Sequence, residues 1–381
     1  MKFKYLKIDL ESKTTYNCHA AAPHPVDFAW LDKNPGQLFN TDVNVAERGM
    51  MLRNERNTSC EQNCWVAEDA GAVSPRLYQG GVEQTHTEPI TRPEIIDLTI
   101  NGDCNLTCTY CCKEFSSAWR RDVVNNGDYN TVNTDDRYKA NVKDRALLKI
   151  SQSTLKTTAH YQTLFNEIKL SAPGLKKLTV TGGEPLLDNS LVNMLKSIDF
   201  AADTVVEIYT GLGVAMPRFV RFIEELKTIP NLLLLISAEA TEKFLEFNRY
   251  GVKWPDFVRK VEILKETGIN FKFHATVTNL TIFDFANFVD YFKPKDMNLT
   301  FAYQPRMMAP YVLDKTSKES IIQSISGLST DFKKQIMESM QNDPTEEDRK
   351  NIGIFLQEFV ARRSDLDLNI YPQSFLNWIK S

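Results

Sequence analysis

Three closely spaced cysteines are the residues in this 381-residue sequence best suited to chemistry. Cys104, Cys108 and Cys111 follow a C-x3-C-x2-C pattern. Three thiolates can hold three corners of a cubane iron–sulfur cluster, and the fourth iron then stays open for a ligand other than a protein side chain. Zinc is the alternative, although a structural zinc site takes four ligands. The spacing therefore predicts a metal or cluster site with one vacant position.

The segment before these cysteines determines where they lie. Ile95–Ile100 is a short apolar run rich in β-branched residues and bounded by Asn-Gly, which is typical of a buried strand. In α/β proteins the chemistry lies on the loops that leave the carboxyl ends of the strands. We therefore expect the cysteines on the loop after the first strand of a sheet.

From this strand onwards, strand and helix patterns alternate. The predicted strands are Ile95–Ile100, Leu175–Val180, Val205–Tyr209, Leu232–Ser237, Asn270–Val277 and Asn298–Tyr303. The predicted helices are Thr154–Leu170, Ser190–Ile198, Pro217–Lys227, Pro255–Thr267 and Phe283–Phe292. The alternation predicts an α/β fold in which residues 91–306 form a partial (β/α)6 barrel around a parallel sheet.

Two further polar groups follow predicted strands. Thr181–Pro185 reads Thr-Gly-Gly-Glu-Pro; glycines let a backbone approach a ligand closely, and a carboxylate accepts hydrogen bonds from an ammonium group. Ser237 and Glu239 suit hydrogen bonds to a ribose, and Arg249 could clamp a carboxylate in a bidentate manner. The alternative for Arg249 is a solvated arginine in a salt bridge.

Together these motifs resemble those of the radical S-adenosylmethionine (radical SAM) superfamily. Cys104, Cys108 and Cys111, with Tyr110 before the last cysteine, resemble its cluster signature, and Gly182–Pro185 resembles its GGEP motif. The resemblance implies a catalytic [4Fe–4S] cluster and bound SAM. It also implies reductive cleavage of SAM to methionine and a 5′-deoxyadenosyl radical, which abstracts a hydrogen atom from a substrate carbon.

The same resemblance assigns contacts with SAM. Gly182, Gly183, Glu184 and Pro185 correspond to the segment that meets the methionyl ammonium group. Ser237 and Glu239 correspond to residues near the ribose, Arg249 to the residue near the methionyl carboxylate, and Thr276 and Val277 to the segment beside the adenine.

Cys18, Cys60 and Cys64 form a second, dispersed set within residues 1–90, a segment predicted to be irregular apart from helices near Val45–Arg56 and from Ser59. A C-x3-C pair can place both sulfurs on one side of a helical turn. The run Cys60, Cys64, Trp65, Glu68, Gly71, Ser74 and Arg76 resembles a segment of twitch-type (reduced SPASM) radical SAM proteins that runs roughly as C-x3-C-W-x2-E-x2-G-x-S-x-R, although two residues separate Gly71 from Ser74 here. That likeness implies an auxiliary [4Fe–4S] cluster whose fourth iron is open to substrate, His19 or Cys112. The alternatives are a zinc site or cysteines that bind nothing.

Other features set expectations around the site. Cys112 is either a hydrogen-atom donor to a substrate radical or a buried spectator. Residues 119–141 are polar and aperiodic, which predicts a long loop above the site, and Trp119 and Arg120 could shape a pocket there. Unlike full SPASM proteins, the chain has no cysteine after Cys112. We therefore expect a helical extension over residues 307–381 that caps the barrel by packing alone. Its predicted helices are Lys315–Ile325, Thr330–Asn342, Glu346–Arg363 and Pro372–Lys380.

Composition narrows the class of protein. The formal charge is −4, and 42% hydrophobic and 25% charged residues are ordinary for a globular protein. This balance does not favour a nucleic-acid partner. We identify no signal peptide and no apolar run of the roughly 18 residues that span a bilayer, so no membrane association is expected. Seven clustered cysteines, an odd number, favour metal binding in the reducing cytoplasm over a disulfide framework.

The leading hypothesis is a radical SAM enzyme with one catalytic and one auxiliary cluster. Such an enzyme would draw electrons from a donor such as a flavodoxin or ferredoxin. A peptide or amino-acid-type substrate is placed first and a small sugar or nucleoside metabolite second; the reaction could be a dehydrogenation or an epimerisation. No leader-peptide recognition module is evident, which weighs slightly against a leader-guided peptide. A non-enzymatic zinc or iron–sulfur scaffold is the remote alternative.

Overall fold

The computed structural model describes residues 2–19, 21–74, 77, 86–133, 137–141, 143–144 and 159–381, apart from the side chains of residues 62 and 63. Arg76 of the second cysteine motif and the predicted helix start at residues 154–158 lie outside the described residues.

The described residues contain eleven strands, of which nine form one mostly parallel sheet. The strands are β1 (Tyr5–Asp9), β2 (Thr14–Tyr16), β3 (His24–Pro25), β4 (Ile95–Thr99), β5 (Thr107–Cys108), β6 (Lys177–Thr181), β7 (Val205–Thr210), β8 (Leu232–Ser237), β9 (Arg249–Tyr250), β10 (Phe271–Val277) and β11 (Met297–Phe301). The sheet order is β11-β10-β8-β7-β6-β4-β1-β2-β3, and β5 pairs with β9 in a separate ribbon. All six predicted strands are present, within two residues of the expected ends, and the predicted α/β class is confirmed.

Helices connect and extend these strands. They are α1 (Phe28–Leu31), α2 (Asp42–Leu52), α3 (Val66–Asp69), α4 (Ser117–Asn126), α5 (Ala159–Ser171), α6 (Leu191–Lys196), α7 (Met216–Leu226), α8 (Glu242–Asn248), α9 (Trp254–Thr267), α10 (Phe285–Phe292), α11 (Lys315–Ser324), α12 (Thr330–Ser339), α13 (Glu346–Ala361) and α14 (Gln373–Lys380). The last four confirm the predicted helical extension, to within three residues at each end.

The two faces of the sheet differ in polarity because side chains alternate along each strand. Leu98, Val180, Ile208 and Ile236 are fully buried in the hydrophobic core on one face. The opposite face carries polar residues of these strands and of β10, several of them half-buried: Asp97, Thr179, Glu207, Tyr209, Ser237 and His274. Parallel sheets are usually apolar on both faces, so a polar face is a surface on which a ligand could bind.

The N-terminal segment is not irregular as predicted. Strand β1 lies parallel to β4 in the main sheet, with Tyr5 opposite Ile95 and Asp9 opposite Thr99. Tyr5, Leu6 and Ile8 are buried. The run was missed because it is short and because two lysines flank its first two apolar residues, which blurs the alternation.

The predicted loop at residues 119–141 is also wrong at its start, where α4 forms. Ser116 caps this helix by accepting a hydrogen bond from Trp119 N. The buried side of α4 is largely polar and includes Arg120 and Asp122, so the helix lacks the apolar periodicity on which a helix prediction depends. Trp119 is fully buried among aromatic rings, so its side chain packs in the core.

The C-terminal extension is held by charge as well as by packing, which corrects the expectation of packing alone. Arg363, at the end of α13, pairs with Asp122 of α4 and donates to Thr107 Oγ1 at 3.1 Å. Arg362 pairs with the same carboxylate at 2.6 Å. All three charged side chains are largely buried, so the extension is tied to the element beside the cysteine loop.

Candidate active site

The cysteine loop and the glycine turn meet because β4 and β6 are parallel neighbours, which brings the loops after them to the same edge of the sheet. Gly183 N donates to Asn101 O at 2.8 Å, and Glu184 N donates to Asp103 O at 2.7 Å. Gly182 has a φ of +150°, and a Cβ on Gly183 would collide with the carbonyl of Asp103. Only glycine allows this close approach.

A cavity of about 260 Å³ lies where the loop and the turn meet. Among the described residues it is lined by Cys104, Leu106, Cys108, Tyr110, Cys111, Phe115, Thr181, Gly182, Gly183, Glu184, Tyr209, Thr210, Gly211, Ser237 and Arg249. The structure thus brings all three motif cysteines together with the glycine turn, Ser237 and Arg249. Thr181, Tyr209, Thr210 and Gly211 were missed, although each stands at or just beyond a strand end.

Glu184 is enclosed by donors from its own chain. Its Oε1 accepts from Thr210 Oγ1 at 2.6 Å and Leu186 N at 3.2 Å, and its Oε2 from Gly211 N at 2.9 Å and Gly213 N at 3.3 Å. Burial raises the pKa of this carboxyl group despite these bonds. The carboxylate therefore fixes the glycine turn against the loop after β7, while a contact with an ammonium group stays a prediction.

Arg249 lies beside the sulfur of Cys108. Its Nη1 is 3.9 Å from Cys108 Sγ, and its Nε and Nη2 donate to Glu239 at 3.1 and 2.5 Å. Burial opposes the charge of Arg249, but Glu239, Tyr110 and Cys108 together outweigh burial, and the pKa of the guanidinium is raised well above its usual value.

Five other predicted residues lie outside the cavity lining. Glu239 is fully buried in its pair with Arg249, and Pro185 is buried at the start of a short helical turn. Thr276 faces Thr300, its Oγ1 3.3 Å from Thr300 Oγ1, and Val277 is fully buried in the core. Cys112 is buried beside Arg137, whose Nη1 is 3.8 Å from its sulfur, and burial raises the pKa of this thiol to about 12. Its role as a hydrogen-atom donor stays a prediction.

The three motif cysteines form a donor set that fits a cluster. Burial raises the pKa of the Cys104, Cys108 and Cys111 thiols, and neighbouring cysteines add to this for Cys104 and Cys111. Buried thiolates become stable when iron compensates their charge. Among the described residues, no three His, Cys, Asp or Glu side chains lie close enough together to hold a single metal ion.

In the second cysteine set, Cys60 interacts electrostatically with both other members. The pKa of the Cys60 thiol is raised, first by burial and then by the nearby Cys64 and Cys18. Cys60 ends a short 3-10 turn and Cys64 lies in the next turn, of π-helical type. His19, beside Cys18, packs against the Tyr5 ring at 4.0 Å and lies 3.8 Å from Asp97.

The rest of that motif supports these turns. Trp65 Nε1 donates to Asn57 O at 3.1 Å, and Ser74 Oγ donates to Glu68 Oε1 at 2.5 Å. Gly71 adopts a φ of +76°. The motif residues in the described part of the segment therefore order the chain around Cys60 and Cys64.

Comparisons with known proteins give partial similarity. No family model matches the chain. The 7-carboxy-7-deazaguanine synthase of Clostridium acetobutylicum is 25% identical over 164 residues, which cover 42% of this chain and 54%, or about half, of that relative.

Two solved structures are similar to part of this chain. One is described as native anSMEcpe with bound AdoMet; it has a TM-score of 0.38 and 15% identity over 65% of this chain and 63% of its own. The other is Streptococcus suis SuiB bound to S-adenosylmethionine, with a TM-score of 0.33 and 15% identity over 69% of this chain and 48% of its own.

In the described part of the chain, the helices lack the length and apolar character needed to cross a bilayer.

Proposed function

We propose that the protein is a radical SAM enzyme whose catalytic cluster is held by Cys104, Cys108 and Cys111. The observation that carries the proposal is the single cavity lined by these three cysteines and by the Gly182–Glu184 turn. A cluster with three protein ligands needs such a cavity for the ligand of its fourth iron.

In this proposal a [4Fe–4S] cluster with bound SAM supplies a radical that removes a hydrogen atom from an unactivated substrate carbon. The residues of the chain do the rest. The glycine turn lets the backbone approach the ligand, Ser237 offers a hydroxyl, and Leu106 and Phe115 line the cavity with apolar surface that helps to exclude water.

We further propose that Cys18, Cys60 and Cys64 hold an auxiliary [4Fe–4S] cluster. The electrostatic effect of both Cys64 and Cys18 on the Cys60 thiol supports this, because Cys18 is 42 positions from Cys60 and only the fold brings it close enough to act. The open iron would bind substrate or accept an electron from it. Electrons for the catalytic cluster would come from a flavodoxin or ferredoxin.

The polar face of the sheet favours a peptide or amino-acid-type substrate. It carries both signs of charge, with Lys177 Nζ 3.4 Å from Glu207 and with Asp97 near His19. Tyr209 lines the cavity and also packs its ring 5.1 Å from that of His274 on this face. A zwitterionic ligand would find partners for both of its charges there.

A nitrogen heterocycle is the second candidate substrate. The sequence relative is by name a synthase of 7-carboxy-7-deazaguanine, and Tyr209 and His274 offer aromatic faces for stacking. The similarity spans only part of both chains, so this candidate is placed second.

Anaerobic reconstitution tests the proposal. We expect about eight irons per chain, the content of two [4Fe–4S] clusters, and release of 5′-deoxyadenosine when SAM and a reductant are added. Uptake of zinc with no SAM cleavage would overturn it. Amino acids, short peptides and deazapurines are then supplied in turn with deuterium at carbon, and transfer of deuterium into 5′-deoxyadenosine identifies the substrate class.

A further inference from the structure

The two-stranded ribbon beside the cavity fixes Arg249 against a cluster ligand. Strands β5 and β9 are antiparallel, with Cys108 directly opposite Arg249 and Thr107 opposite Tyr250. Thr109 N extends the pairing by donating to Asn248 O at 2.9 Å. The backbone register thus places the arginine directly opposite the cysteine.

Glu239 orients the guanidinium within this arrangement. Its two oxygens take the Nε and Nη2 edge of Arg249, and the exposed fractions of the two side chains are 0% and 3%. This leaves Nη1 directed at Cys108 Sγ, 3.9 Å away. A carboxylate of SAM could bind to Nε and Nη2 of Arg249 only by displacing the fully buried Glu239. This would leave the charge of Glu239 unpaired.

We propose that Arg249 is a positioning residue for Cys108: it donates a charge-assisted hydrogen bond to the ligating sulfur and thereby raises the reduction potential of the cluster. This role differs from the carboxylate clamp that the sequence predicts, and it rests on the proposed function. Hydrogen bonds to the sulfurs and the net charge around a cluster both set its potential, and a cationic donor stabilises the added electron.

Three variants test this role, because the charge and the hydrogen bond can be removed separately. R249M/E239Q removes the donor while leaving the net charge of the pair at zero. E239Q leaves the cation uncompensated. R249K keeps the cation but loses the planar fork that reaches the sulfur and Glu239 together. R306Q is the matched control, since Arg306 also donates Nε and Nη2 to a carboxylate, that of Asp348, in the C-terminal extension.

The readout is an anaerobic redox titration followed by electron paramagnetic resonance of the cluster signal that changes when SAM is added. We expect R249M/E239Q to lower the potential enough to change the oxidised-to-reduced ratio about tenfold, or about 59 mV for one electron. E239Q should raise the potential, R249K should fall between the wild type and the double variant, and R306Q should match the wild type. Iron content confirms that each variant is loaded, and the double variant avoids a lone buried charge that could prevent folding.

Two results would overturn the inference. A loaded R249M/E239Q protein with an unchanged potential and a SAM affinity at least tenfold weaker would show that Arg249 clamps the ligand instead. Equal potentials in R249M/E239Q and E239Q would show that the sulfur does not sense the pair. By contrast, a wild-type protein that takes up no iron would overturn the proposed function itself.

Discussion

The two cysteine sets are built in different ways. Cys104, Cys108 and Cys111 lie within eight consecutive positions on one loop. This loop is held by the glycine turn, by Arg249 and by Trp119, whose Nε1 donates to Cys108 O at 2.9 Å. Cys18, Cys60 and Cys64 come from two distant segments with short turns. Lys2 Nζ braces these segments from within, 2.5 Å from Glu47 Oε2 and 3.2 Å from Asn17 Oδ1.

If both sets hold clusters as proposed, this contrast predicts which set is ordered before iron binds. A loop fixed by backbone hydrogen bonds to two neighbouring strands has little freedom to lose when it binds iron. The dispersed set has to bring Cys18 to the Cys60 turn and relies mainly on a buried polar network to do so. We infer that the first site is preformed and that the second gains more of its order from iron.

The largest expected effect is a separation of the two iron populations. C108A should abolish SAM cleavage and remove about half of the iron, while C60A/C64A should remove the other half and leave SAM binding intact. Iron and sulfide counts with equilibrium binding of SAM measure this. Unchanged iron content in C60A/C64A would show that the second set binds no cluster.

Breaking the buried ion pair beside each set should destabilise the chain by about 3–5 kcal/mol, because each change leaves a buried cation without its carboxylate. D122N leaves Arg363, next to the first set, without its carboxylate partner, and E47Q does the same for Lys2, next to the second set. Chemical unfolding gives the stability loss, and iron counts should show that each variant depletes its own site.

The exposed Arg259 supplies the control for these two variants. It pairs with Glu262 and Glu266 on the surface, and R259Q should change stability by less than about 1 kcal/mol. If D122N and E47Q depleted both sites equally, the two sets would not be independently braced.

Much of the first site could be predicted from sequence because its parts are local. Cysteine spacing, the Gly-Gly-Glu turn and strand ends are all short-range signals, and parallel neighbouring strands bring them together. The partners of Arg249 could not be predicted in this way. The antiparallel ribbon that joins Thr107–Cys108 to Arg249–Tyr250 links residues about 140 positions apart, and two-residue strands carry no periodicity.

The second site shows the opposite balance. The cysteines and Trp65 could be recognised in the sequence. The ion pair of Lys2 and Glu47 that supports them could not, because neither residue belongs to a motif. A buried lysine beside a predicted metal site is also unexpected from composition, because lysine is almost never buried unless it is paired. The strand β1 that carries this segment into the sheet was likewise missed.

A pH test compares the histidines near the two sets. Burial, and then the charge of Arg249, lowers the pKa of His274 to about 4. The unfolded chain takes up this proton near pH 6.5, so stability should fall as pH drops from about 6.5 to 4 and change little further through this group below 4. Because His274 is only partly buried, we expect a loss of about 2 kcal/mol.

Denaturant titrations of the metal-free protein at several pH values between 4 and 7 check this. H274Q should flatten the pH dependence of the unfolding free energy across that window. His19 has a side chain that is 49% exposed, so H19Q should flatten it far less. If H274Q and H19Q reduced the pH dependence of the unfolding free energy equally, the histidine near the first set would be no more shielded from water than the one near the second.

The last comparison concerns the caps that precede each set. Ser116 Oγ accepts from Trp119 N at 3.2 Å and donates to Leu106 O at 2.7 Å, so one hydroxyl joins α4 to the cysteine loop. Asn57 Oδ1 accepts from Ser59 N at 2.8 Å just before Cys60, while its Nδ2 is buried without a partner among the described residues.

S116A should lower the free energy of unfolding by about 2 kcal/mol, at the upper end for a cap, because it also removes the donor to a buried carbonyl. N57A should cost about 0.5 kcal/mol, because it also relieves an unsatisfied amide. Thermal unfolding of both variants measures the difference, and a larger loss for N57A would mean that the second set is the better braced of the two.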